Sequence, residues 1–149
     1  MESKEQIWEK LRDAYKKSIT LPFCDKVNAY MMCLHWNSSI FKDKTGLAKD
    51  AYRRIYRNDK NYKNPEKDTV MAICVGLGLD YRLAVDLLQS VEHALSPFSN
   101  KVDEAYEYIL LELHGQPLEV CNQELIRRGI DPLGAKEYKP DKIGKIAIL

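Results

Sequence analysis

Basic side chains are concentrated in one short part of the sequence, residues 42–67. This window contains nine lysines and arginines and four acids, a net charge of +5, whereas the whole chain carries only +1. Arg53, Arg54 and Arg57 would lie at adjoining positions of one helix. Because arginine recognises both phosphate and guanine through its planar fork, the window predicts contact with a polyanion.

Acidic residues are concentrated in the part of the chain that follows. Residues 79–132 contain ten aspartates and glutamates but only four basic residues, a net charge of −6. A basic stretch followed by an acidic one predicts two surfaces, one for a polyanion and one for a different partner.

The elements that must position these residues are predicted to be helices. Apolar residues recur three and four positions apart along most of the chain, and the alternation typical of strands is nearly absent. Ser3 followed by Gln6 is typical of a capping box at the start of a first helix. Asn64 followed by Pro65 predicts an N-cap and a first helical residue. The chain is therefore expected to be all-α.

Glycine, proline and polar residues mark the predicted helix ends. A helix that begins near Phe23 is expected to end near Asn37, and an apolar stripe later in the chain is expected to continue to Pro97. The end of the sequence, residues 142–149, is apolar for a free tail. We expect it to dock on the body of the protein or on a second copy.

Gly46 lies between two short predicted helices, one over residues 38–45 and one over about residues 48–58. Glycine tolerates a positive φ, which lets two short helices cross at a steep angle, as in a helix-turn-helix. The apolar anchors of this pair are expected to be Phe41, Leu47, Tyr52 and Ile55. The opposite face of the second helix would then project towards the major groove, which is wide enough to admit a helix.

The candidate DNA contacts are the polar residues that this arrangement would turn outward. Hydroxyls and backbone N–H groups at the start of the first helix would bind phosphate, and the basic loop after the second helix would add backbone contacts. The predicted DNA-binding residues are Ser38, Ser39, Lys49, Asp50, Arg53, Arg54, Arg57, Lys60 and Lys63.

Several segments carry a resemblance to a known family. Residues 45–55 read TGLAKDAYRRI, and residues 65–79 read PEKDTVMAICVGLGL. Shorter similarities lie at residues 86–88, 94–97 and 119–125. Together they resemble the Cro/lambda-repressor-type helix-turn-helix regulators, particularly a group common in Firmicutes, over roughly residues 23–133. The resemblance implies a lambda-repressor-like helix-turn-helix bundle, with an added N-terminal helix and two further C-terminal helices.

This resemblance also implies a division of the chain. It predicts an N-terminal helical extension over residues 1–22 and a DNA-binding bundle over 23–96. A C-terminal helical pair over 97–133 and a tail over 134–149 would follow.

The family's base contacts come from the start and middle of the recognition helix, which carries over to Lys49, Asp50 and Arg54, with Arg53 next. The chain departs from the usual pattern at three positions. Lys42 replaces the usual alanine and Thr45 the usual larger aliphatic residue, while Ala48 replaces the usual serine or threonine cap.

Other classes of function find little support in the sequence. No phosphate-binding loop, zinc-protease motif or nucleophile elbow is present, so no enzyme activity and no cofactor are expected.

The four cysteines are widely spaced among apolar residues and are expected to be reduced and buried. Cys33 and His35 are too few for a metal site. No apolar run spans a bilayer and no signal peptide is evident, which predicts a cytoplasmic protein.

The leading hypothesis is a homodimeric transcriptional regulator that binds double-stranded DNA. Its acidic C-terminal helices would contact a second copy or a protein partner. The alternative is a protein-interaction module, such as an antitoxin, a phage-related accessory protein or an adaptor, that keeps the bundle without reading DNA. RNA binding is a third hypothesis, because basic helices also bind A-form backbones.

Overall fold

The computed structural model describes residues 2–60, 62 and 64–134, and these residues form eight α-helices and no strand. The all-α prediction is confirmed. The apolar stretch 142–149, which was expected to dock on the body or on a second copy, lies outside the described residues. In chain order the helices are α1 Lys4–Lys17, α2 Phe23–Cys33, α3 Ser38–Thr45, α4 Lys49–Tyr56, α5 Lys67–Leu77, α6 Tyr81–Gln89, α7 Lys101–Glu112 and α8 Leu118–Arg127.

Short polar side chains begin several of these helices. Ser3 and Gln6 form the predicted capping box, with the Ser3 hydroxyl accepting from the Gln6 N–H at 3.1 Å and the Gln6 side chain accepting from the Ser3 N–H at 2.8 Å. Asp80 caps α6 and Asn100 caps α7 in the same way. These caps satisfy N–H groups that have no partner within the helix, which fixes where each helix begins.

Three helices end earlier than their apolar patterns predicted. The ends expected near Asn37, Asn58 and Pro97 are wrong, because α2, α4 and α6 stop at Cys33, Tyr56 and Gln89. In each case a non-glycine residue shortly afterwards adopts the left-handed conformation, and the residue after it donates to a carbonyl five positions back. The three left-handed residues are His35, Asn58 and Glu92, with φ of 57°, 55° and 63°.

The start predicted for α5 is also wrong. Pro65 does not open the helix, which begins at Lys67 after the cap residue Glu66. Asn64 is itself left-handed, with φ of 54°, so its side chain does not serve as the expected N-cap. The dipeptide Asn64-Pro65 therefore forms a turn that leads into α5 rather than the first turn of that helix.

The core is one cluster of buried side chains with members from all eight described helices. Helix α5 lies at its centre, in contact with α3, α6 and α8. Every residue of α5 from Val70 to Val75 is buried, although the sequence pattern marked only one stripe of it. A helix that is covered on several sides must be apolar all round, which is the composition that α5 has.

A buried lysine ties the start of α2 to α6. Lys26 is only 4% exposed, and its ammonium group donates to the carbonyls of Ser18 and Ile19 at 3.0 and 2.9 Å and to the Asp86 carboxylate at 3.0 Å. An ammonium group has three protons, so these three acceptors satisfy it completely. The α1–α2 loop and α6 are thereby fixed to the same charged atom.

The four cysteines are free thiols. Three of them are buried as expected, and Cys33 is half-buried. Burial raises the pKa of the Cys24, Cys33 and Cys121 thiols to about 11, because a thiolate is poorly solvated in apolar surroundings. These cysteines therefore have the environment of structural residues rather than of nucleophiles.

Gly76 allows α5 to approach the end of α3 very closely. A Cβ atom at this position would lie 2.7 Å from the Thr45 methyl carbon and 2.9 Å from the Lys44 carbonyl oxygen. The second of these neighbours is backbone and cannot rotate away. The absence of a side chain at Gly76 therefore sets the distance between the two helices.

The variant Gly76→Ala is expected to lower the free energy of unfolding by about 1–3 kcal/mol, the usual cost of overpacking a core. Alanine in an unobstructed helix interior would instead stabilise by about 1 kcal/mol relative to glycine, so the sign is diagnostic. Urea denaturation followed by circular dichroism measures the change, with the exposed-site variant Gln89→Ala as control. A stabilised Gly76→Ala protein would show that the close approach is absent.

Candidate nucleic-acid interface

Helix α4 is attached to the protein through its apolar underside. Leu47 and Ile55 are buried, as predicted, and so is Phe41 on α3. Tyr52 is half-buried rather than fully buried, and its ring contacts the Phe41 ring at a centroid distance of 5.5 Å. These contacts fix which face of α4 is turned away from the core.

A hydrogen bond that the sequence did not predict fixes the C-terminal end of α4. The Asn28 side chain on α2 donates to the Ile55 carbonyl at 2.8 Å. Asn58, just after α4, donates to the Asp25 carboxylate on α2 at 3.0 Å. The carbonyls at a helix end lack partners within the helix, so the first of these bonds satisfies a group that would otherwise need water.

The polar residues predicted on the outer face of α4 are exposed. Lys49, Asp50, Arg53 and Arg54 project from the helix, and Arg57 follows at its C-cap. Among the described residues no carboxylate lies within ion-pair distance of Lys49, Arg53 or Arg57. Three uncompensated cations therefore lie within little more than two helical turns, and this is a strongly positive surface.

The start of α3 is only partly available for phosphate. Ser39 is exposed and Ser38 is half-buried. The Asn37 side chain accepts from the Ile40 N–H at 2.9 Å and so occupies one of the N–H groups of this turn. Asn37 was not among the predicted site residues, although an asparagine directly before a helix is a common N-cap.

Gly46 joins α3 to α4 in the left-handed conformation, with φ of 70° and ψ of 11°, as expected for the turn glycine. The neighbouring Thr45 is buried, and its hydroxyl donates to the Phe41 carbonyl at 2.7 Å and accepts from the Leu47 N–H at 3.1 Å. The hydroxyl thus satisfies a backbone N–H of the turn, and the small side chain fits against Gly76. This explains why a larger aliphatic residue is absent at position 45.

The C-terminal loop covers this turn from outside. A Cβ atom at Gly134 would lie 2.7 Å from the Thr45 carbonyl oxygen and 3.0 Å from the Gly46 Cα. The Leu118 side chain, at the start of α8, would lie 3.1 Å from a Cβ atom at Gly46. The sequence offers no local signal for this contact, because its members are more than seventy positions apart along the chain.

Asn122 on α8 holds that loop in place. Its side chain donates to the Leu133 carbonyl at 3.0 Å and accepts from the Leu133 N–H at 2.7 Å. Asn122 and Leu133 are both buried. One amide thus satisfies both backbone groups of the residue next to Gly134.

Arg54 is not a free cation, in contrast to Arg53. Its Nε lies 3.0 Å from an Asp50 carboxylate oxygen, in an ion pair with the residue one helical turn earlier, and its Cζ lies 5.8 Å from the centre of the Tyr62 ring. Burial raises the pKa of the Tyr62 hydroxyl to about 12. The guanidinium therefore has a carboxylate on one side and a half-buried aromatic ring on another.

The lysines that follow α4 contribute less positive charge to this surface than their number in the sequence predicts. Lys60 is exposed as expected, and Lys63 lies outside the described residues. Lys67 pairs with the buried carboxylate of Asp103 at 3.0 and 3.1 Å, and Asp103 also accepts from the Ser96 N–H at 2.9 Å. The charge of Lys67 is therefore used to join α5 to α7.

An exposed aromatic ring lies at the end of α4. Tyr56 is 64% exposed, and its ring stacks on Tyr52 with a centroid distance of 5.6 Å and an interplanar angle of 10°. Tyr52 continues the contact to Phe41, which meets Trp36 edge-on. A row of four aromatic rings thus runs from the bundle to the edge of the basic surface.

The described part of the chain contains no group of three or more histidine, cysteine or acidic side chains placed to bind a metal ion. Within the same residues, no helix has both the length and the apolar character needed to cross a bilayer.

Comparison with known proteins found no matching family model, no matching curated protein and no matching solved structure.

Replacing Asn122 by alanine is expected to lower the free energy of unfolding by about 1–3 kcal/mol, because a buried N–H and a buried carbonyl lose their partner. Thermal and urea unfolding measure this effect. The adjacent Gln123→Ala, at an exposed position of the same helix, is the control and should remain within about 0.5 kcal/mol of the parent. Equal stabilities for the two variants would contradict the assigned role of Asn122.

Proposed function

We propose that the protein is a sequence-specific binder of double-stranded DNA, in which α3, Gly46 and α4 act as a helix-turn-helix. The observation that carries this proposal is the exposed row of Lys49, Arg53 and Arg57 on a helix whose opposite face is buried. A helix of eight residues is about 12 Å long, which suits insertion across a major groove about 12 Å wide.

The N-terminal helix leaves this surface accessible. Helix α1 packs on α2, and its Trp8 meets His114 edge-on at a centroid distance of 6.5 Å. Lys49 and Arg54 remain exposed with α1 in place. Occlusion of these residues by α1 would have favoured the alternative in which the bundle does not read DNA.

A homodimer in the cytoplasm that regulates transcription is part of the same proposal. Two copies related by a two-fold axis would present their α4 helices to half-sites about 34 Å apart. The exposed acidic side chains of α7 and α8, Glu104, Glu112 and Glu119, would contact the second copy or a protein partner.

A protein-interaction module is the second candidate, and exposed apolar side chains favour it. Phe98 is fully exposed in the loop between α6 and α7, and Leu111 is 55% exposed on α7. An antitoxin, a phage-related accessory protein or an adaptor would use such residues to bind its partner.

Selection from a random-sequence duplex DNA library separates the candidates, because only the DNA binder enriches a sequence. Duplex RNA as competitor tests whether the basic helix prefers A-form backbones.

The double variant Arg53→Ala, Arg57→Ala is expected to weaken binding to every duplex, because two phosphate-binding cations are lost. The slope of log affinity against log salt concentration should become shallower by about 1.8, since each contact contributes about 0.9. Fluorescence polarisation at several salt concentrations measures both quantities.

The matched control is the double variant Arg12→Ala, Arg82→Ala, which removes two exposed arginines from α1 and α6. It should bind like the parent protein. The proposal fails if the parent enriches no duplex sequence, or if the two double variants lose affinity equally.

A further inference from the structure

Asp50 is the only acidic residue on α4, and it lies on the face that carries the exposed cations. A carboxylate that faces a phosphate backbone costs affinity, because like charges repel. On a surface that only binds phosphate, this residue would be a disadvantage. Its position therefore requires a different explanation from that of Lys49, Arg53 and Arg57.

The pairing of Asp50 with Arg54 leaves specific atoms unoccupied. The Asp50 carboxylate pairs with Arg54 at the Nε end of the guanidinium, with 3.0 Å between the two atoms, so the two terminal nitrogens remain available as parallel donors. The Asp50 and Arg54 side chains are 58% and 49% exposed. One carboxylate oxygen of Asp50, Oδ2, pairs with Arg54, and the other, Oδ1, is available as an acceptor.

Tyr62 restricts the orientation of this pair from the side of the protein. Its half-buried ring lies against the Arg54 guanidinium at 5.8 Å. An exposed ion pair on a helix contributes little stability by itself. With a carboxylate and an aromatic ring on different sides, however, the fork loses less freedom when it binds a third group.

We propose that Asp50 and Arg54 act as one unit that selects a G·C base pair, an inference that rests on the proposed DNA-binding function. The unit presents two donors followed by an acceptor. In the major groove a G·C pair presents two acceptors, N7 and O6 of guanine, followed by the donor N4 of cytosine. An A·T pair presents acceptor, donor and acceptor, which does not match. Lys49, Arg53 and Arg57 then supply affinity for phosphate without sequence preference.

The test is selection from a random duplex library with the parent protein and with Asp50→Asn, Arg54→Lys and Arg53→Lys. The parent should enrich a G·C pair at one position of each half-site. Asp50→Asn and Arg54→Lys should each reduce discrimination at that position by about 5- to 150-fold, the range of one bidentate base contact, and leave other positions unchanged. Arg53→Lys, which alters the neighbouring unpaired arginine, should keep the preference.

Base analogues locate the contact on the DNA. Replacing the selected guanine by 7-deazaguanine removes the N7 acceptor and should weaken binding of the parent protein. The same replacement should have a smaller effect on Arg54→Lys, because a single ammonium group that loses N7 still has O6 as an acceptor. Circular dichroism of each variant shows whether it is folded.

Each outcome separates the inference from the function on which it rests. If the parent enriches no sequence, the proposed function fails and the inference fails with it. If the parent enriches a sequence that Asp50→Asn and Arg54→Lys enrich equally well, the proposed function stands and the inference is overturned. In that case the pair would be a surface contact that stabilises α4 alone.

Discussion

The close approach of backbone on two sides of Thr45 and Gly46 is the constraint on which the candidate site depends. On one side Gly76 lets α5 meet the end of α3, and on the other Gly134 lets the C-terminal loop meet the turn. A Cβ atom at either glycine would lie within 3.0 Å of backbone. Neither neighbour could move aside without shifting α3, and with it the direction in which α4 leaves the turn.

Helix α4 could not form this surface on its own. It has eight residues and no side-chain N-cap, and helices of this length are marginal in water. Its order comes from outside, through the buried Leu47 and Ile55, the contact of Tyr52 with Phe41 and the hydrogen bond from Asn28 to its last turn. The rigid underside is what gives the outward cations fixed positions, and a fixed position is what a specific contact requires.

Charge in this protein has two separate roles. Lys26 and Lys67 each pair with an aspartate where one of the partners is buried, and they join elements that are distant in sequence. Lys49, Arg53 and Arg57 have no such partner among the described residues and face solvent. The net charge of a segment does not distinguish these roles, because desolvation and pairing depend on neighbours that only folding supplies.

Features that depend on neighbours a few positions away could be predicted from the sequence alone. Helical spacing, the Ser3 capping box, the left-handed Gly46 and the buried anchors Phe41, Leu47 and Ile55 all follow from local pattern, and so does the exposure of the α4 cations. The rest of the fold and of the candidate site depends on contacts that form only in the folded protein. The left-handed ends of α2, α4 and α6 use residues other than glycine, which local composition does not mark. The neutralisation of Lys67 by Asp103 and the contact of Gly134 with Gly46 join residues far apart along the chain. Such contacts depend on how the helices pack, and packing is a property of the whole core rather than of any window of sequence.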